Sequence, residues 1–228
     1  MPELLYFAAI GATAVIALAA NLGRLRKSSA LAQQAATVHA ELVDWAATTD
    51  WKIADGSEVR WVEEAERITG LAGFPQDWDL SSERPGSGAE KYSPIRKWVY
   101  RTMLARETSF GRVTVIGCWR EDSTSYNVFA CLSGAPHTSP YTLDVLPTDH
   151  PPGSRLAEDG SPPAGCTELH IDAAVDGLLP PARLRLLSGQ ILLHTAEWLS
   201  ADIAEDRCKR LIDLCKELPH GPALGPER

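Results

Sequence analysis

Cys166, Glu168, His170 and Asp172 stand at every second position of CTELHID. On a β-strand that spacing turns a thiol, two carboxylates and an imidazole to one face. Such groups ligate divalent metals and can also form an acid/base pair. Asp149-His150 lies in the preceding Pro/Gly-rich segment, where it could swing near the same face. The candidate catalytic residues are therefore His170, Asp172 and Glu168, and the candidate metal ligands Cys166, His170 and His150. Against this, E-x-H-x-D is also how the solvent face of a half-buried strand reads. Side chains at i and i+2 lie roughly 6.5–7 Å apart, too far to chelate one small ion easily.

No other pattern names a reaction. GxSxG, SxxK, HExxH, HRD and DFG are all absent, and GSG at 86–88 is too short to be a nucleotide-binding fingerprint. Nothing in the sequence calls for a cofactor. Ser133-Gly134 and Ser188-Gly189 read as turns. Cys118, Cys131, Cys166, Cys208 and Cys215 are odd in number and show no CxxC spacing, which fits small apolar packing residues in a reducing compartment. Trp45, Trp51 and Trp61 cluster on the first two predicted helices and their connection, where they should pack those helices against a sheet. His39 reads as a surface residue of the first helix.

The elements that would position these groups divide the chain. Residues 28–48 carry Leu31, Ala35, Val38, Leu42 and Trp45 at helical spacing, without Gly or Pro. DWKIADGS breaks that helix at Asp55-Gly56, and Ser57 caps a second one that turns Val59, Val62, Ala65 and Ile68 or Trp61 inward and stops at Gly70. After a loop at 73–94 the period changes to two. KWVYRTMLAR, RVTVIGCWR and SYNVFACL predict an antiparallel meander, with YTLDVL as a candidate fourth strand. Residues 147–165 read as a long loop and CTELHIDA as a strand. ARLRLLSGQILLHTAEWL is a hairpin turning at Ser188-Gly189. The last helix begins at the cap Ser200, with Asp202 and Glu205 near its positive end, and ends at Pro219. Its apolar stripe is Ala204, Cys208, Leu211, Cys215 and Leu218. The fold class is α+β: a mostly antiparallel sheet packed with N- and C-terminal helices. The loops within 106–126 are too short for the crossovers of a parallel sheet.

Ahead of this body, Leu4 to Gly23 holds twenty uncharged residues, long enough at 1.5 Å each for a hydrocarbon core of roughly 30 Å. ALA at 17–19 would fit a signal-peptide cleavage site, but the basic residues Arg24, Arg26 and Lys27 follow the apolar run instead of preceding it. The expected organisation is a transmembrane anchor with its basic flank at 1–27, an α+β domain at 28–218 and a flexible tail at 219–228. The flank places the domain in the cytoplasm. AAIGA at 8–12 offers close approach for a homodimer through the span. Without residues 1–27 the chain holds 19 basic and 29 acidic residues, a net −10 that repels nucleic-acid phosphates and anionic lipid headgroups and disfavours nucleic acid as a partner.

LVDWAATTDWKI at 42–53, and GLLPPARLRLLSGQILLHTAEWL at 177–199 before a terminal amphipathic helix, together resemble a group of uncharacterised actinobacterial membrane-anchored proteins. That resemblance implies an N-terminal span with a cytosol-facing α+β domain, and it implies no reaction. The expected function is a single-pass membrane-anchored module that binds another protein. The alternative is a membrane-tethered hydrolase or metal-dependent enzyme using the His170 strand face.

Overall fold

Val, Ile, Tyr, Phe and Trp concentrate between residues 98 and 133, and β-branched and aromatic side chains fit a pleated, buried surface. In the computed structural model, which describes residues 29–55, 59–72, 98–120, 125–136, 140–145, 155–159, 168–178 and 182–218, this region is the centre of an eight-stranded sheet. The strands are β1 (Lys52–Asp55), β2 (Trp98–Thr108), β3 (Gly111–Arg120), β4 (Tyr126–Ser133), β5 (Tyr141–Val145), β6 (Arg155–Asp159), β7 (Ala182–Leu187) and β8 (Gln190–Thr195). They lie in the order β1-β2-β3-β4-β8-β7-β5-β6, and every neighbouring pair is antiparallel. The fold is α+β, and the expected meander is β2-β3-β4. The β7–β8 hairpin sits between that meander and β5, so the fourth predicted strand does not extend the meander directly.

The β2–β3 hairpin depends on Gly111, whose φ of 122° and nearby Ser133 carbonyl leave no room for a Cβ. Gly189 turns the β7–β8 hairpin at φ 76°. One face of the sheet is covered by α1 (29–46) and α4 (Ala201–Glu217), with α3 (Glu168–Val175) against α4; α2 (Val59–Leu71) lies on the other. Leu31, Ala35, Leu42 and Ala46 of α1 and Ala204, Cys208, Leu211 and Cys215 of α4 join the larger core with Leu104, Val115, Val128, Ala130, Leu132 and Leu193. Ala65, Ile68 and Ala72 close a smaller core over Met103, Ile116, Phe129 and Leu192. Ser200 caps α4 by accepting from the Ile203 amide (3.2 Å), and Asp202 complements its positive end.

Four expectations are corrected. WKIA does not simply break the first helix: Lys52–Asp55 is an edge strand on β2, with Ile53 opposite Leu104. Arg155–Asp159, within the expected loop, pairs with β5. The segment read as a strand around His170 is α3, because Ile171, Ala174, Val175 and Leu178 bury at helical spacing. His39 is half-buried, its Nδ1 3.0 Å from Thr102 Oγ1 on β2. Among the described residues no helix is long and apolar enough to cross a membrane. The stretch 4–23, Ser57, the 73–94 loop, His150, Cys166 and the 219–228 tail lie outside them.

Candidate functional site

Alternation along a strand would have aligned Cys166, Glu168, His170 and Asp172, and a helix does not keep that alignment. Each α-helical residue turns about 100°, so positions two apart fall on nearly opposite sides. Glu168, His170 and Asp172 all lie on α3, and Asp172 is half-buried. Among the described residues no three His, Cys, Asp or Glu side chains converge as metal ligands.

The structure gathers its ionisable groups elsewhere. On the face beneath α2, Arg183 and Asp144 form a two-bond fork, Nε to Oδ1 at 2.5 Å and Nη2 to Oδ2 at 2.7 Å, with both side chains 2% exposed. Arg183 Nη1 also donates to the Ala72 carbonyl (3.0 Å). Two residues along β7, Arg185 donates to the Leu71 carbonyl (2.5 Å) and to Thr142 Oγ1 (3.2 Å). The last carbonyls of a helix have no intrahelical donors and carry its negative partial charge. Both arginines therefore hold the C-terminal end of α2 on the sheet. Arg210 does the same for α3, donating to the carbonyls of Ala173, Ala174 and Asp176.

His194 lies beside this pair, fully buried, its Nε2 2.9 Å from Asn127 Oδ1 and its ring 4.5 Å from that of Phe129. Burial, and then the charges of Arg183 and Arg120, bring its pKa down to about 3. At neutral pH it is an uncharged packing group that cannot supply a proton. Burial likewise pushes Cys131 and Cys208 up to about 11 and raises Cys118 and Cys215, so none of these four free thiols offers a thiolate.

Sequence reasoning missed Asp144, Arg183 and Arg185. Their signal was charge inside otherwise apolar strands, YTLDV and ARLRLL. Such charges are ordinary where a strand face meets water, and here a helix caps that face.

At the opposite edge, α4 and the end of β2 leave an open groove of about 390 Å³. Asp50, Arg106, Glu107, Glu205, Lys209 and Lys216 are among the residues that line it. Arg106 spans Asp50 (2.7 Å) and Glu205 (3.0 Å) and lies 5.7 Å from the Trp51 ring. Trp51, which also packs 5.9 Å from Trp45, donates to Glu205 Oε1 (2.8 Å). The tryptophans thus do the packing expected of them, and Trp61 lies 5.2 Å beneath Arg112. Cys208 and Ile212 add an apolar part to the groove lining, and the charges of both signs around them suit a partner surface of mixed polarity. The chain matches no family model, no curated protein and no solved structure.

Proposed function

We propose that the chain is a single-pass membrane protein, anchored through residues 4–23 as in the group it resembles, whose cytoplasmic domain binds another protein at the groove between α4 and β2. The observation that carries this reading is a separation of chemistry from access. Cys118 and His194, whose proton affinities shift most, are sealed in the core, while the open groove presents ion-paired Arg106, Asp50, Glu205 and Lys216 around a Cys208 thiol that burial keeps protonated. Catalysis needs the reverse, perturbed groups lining a cleft that substrate can enter. Charges of both signs on a fixed Arg106–Trp51–Glu205 frame favour a polar protein surface of complementary pattern.

A photocrosslinking residue placed at Lys209, in intact membranes, tests this. A discrete adduct with one partner is expected, together with no adduct from the same residue at Arg60, which is exposed on α2 across the sheet. Equal labelling from both positions, or no adduct from Lys209 while the purified protein turns over a small molecule, would overturn the proposal.

A further inference from the structure

Resting on the proposed anchor, we infer that the domain stands on one end of its sheet: the end carrying Trp98, Arg120, Tyr126 and Trp198 faces the lipid headgroups. Two contacts fix the direction of α1. Trp45 packs on Trp51, whose ring lies near Arg106, and His39 meets Thr102. Toward its N-terminus, α1 therefore passes from the level of Arg106 to that of Thr102, so its chain direction is parallel to that of β2. Ten more residues to its start cover about 15 Å at helical rise, and the four positions from Thr102 back to Trp98 cover about 13 Å of strand. The start of α1 thus lies level with Trp98, which pairs with Arg120 at the end of β3.

Only Ser28 separates the described start of α1 from Lys27, the last residue of the basic flank. Five residues of sequence separate Gly23, the end of the proposed span, from the described start of α1, which Leu31, Ala35 and Leu42 fix to the sheet.

The side chains at this end suit such a place. Tyr126 stacks between Trp119 (6.0 Å) and the half-buried Trp198 (4.3 Å), and Arg120 lies over the half-buried Trp98 (5.2 Å). A Cβ at Gly117 would overlap the Tyr126 hydroxyl, so glycine there is what admits the stack. Trp119 and Tyr126 are buried and brace this end from within, while the half-buried Trp98 and Trp198 are the rings at its surface, and amphipathic aromatic rings favour the membrane–water boundary. At the other end of β2, Glu107 and Thr108 of the groove are about 30 Å away along the strand, turned toward the aqueous side.

Full-length protein reconstituted into phosphatidylcholine/phosphatidylglycerol vesicles gives the test. The four described native thiols are buried, so with Cys166→Ser a single introduced cysteine takes a fluorophore selectively. Ser125→Cys, or Ala196→Cys should the first not fold, marks the proposed lower end, and Lys209→Cys marks the groove. Nitroxide on lipid headgroups is expected to quench the lower label several-fold more than the groove label. Flotation with the vesicles but equal quenching, or stronger quenching at Lys209, overturns the orientation and leaves the anchor standing. Failure to float overturns both.

Discussion

His194 shows how a titratable residue can act on stability without acting on a substrate. Its pKa is about 3 when folded and 6.5 in an unfolded chain, so below pH 6.5 the unfolded state binds a proton that the folded state refuses. The sign follows: stability is fully present above pH 6.5 and falls as pH drops toward 3, by up to about 1.4 kcal/mol per pH unit. Between pH 7 and pH 5 the loss from this residue is about 2 kcal/mol. Denaturant titrations at the two pH values should show that loss in the wild type and a flatter dependence in His194→Gln. An equal pH dependence in both would mean that the imidazole titrates normally in the fold. The thiols carry the same lesson, since burial raises all four and leaves them protonated.

Among the elements, α2 depends most on a few polar bonds, because a single 13-residue helix covers its side of the sheet in the described structure. Asp144→Asn leaves the Arg183 charge buried without its carboxylate and should cost about 3–5 kcal/mol. Asp144→Leu with Arg183→Met removes both charges together and should recover most of that loss, as read by chemical denaturation. If the double variant is no better than the single one, the capping of Ala72 dominates over the ion pair. The sequence carried the elements whose burial follows a clean period: α1 by Leu31, Ala35 and Leu42, the β2–β4 meander, the β7–β8 hairpin, and α4 by its cap and stripe. It did not carry β1 or β6, which are short edge strands defined by their neighbours more than by their own residues. The alternation Glu168, His170, Asp172 hid α3, although Ile171, Ala174, Val175 and Leu178 held the helical signal within the same stretch. The hairpin was legible but the roles of Arg183 and Arg185 were not, because no local pattern tells that a helix distant in sequence will cover them.

Among the described residues the molecule is a sheet with unequal coverings, and that inequality has a measurable consequence. Residues of α1, α3, α4 and most strands merge into one large core, whereas α2 contributes two buried apolar side chains, Ala65 and Ile68, to a small one, with Ala72 just past its end. Regions with fewer buried apolar contacts open at lower free energy than the global unfolding event. Cys118 and Cys131 lie in the small core and Cys208 and Cys215 on α4 in the large one, so the native thiols report on the two faces separately. Pulsed alkylation across a denaturant series, read by peptide mass spectrometry, should modify Cys118 and Cys131 at lower denaturant than Cys208 and Cys215. Asp144→Asn, which weakens the hold of β7 on α2, should widen that gap by moving the first pair further than the second. A common midpoint for all four thiols, shifted equally by the substitution, would instead make the two faces a single cooperative unit. In that case the Arg183–Asp144 fork would stabilise the entire sheet and not α2 alone.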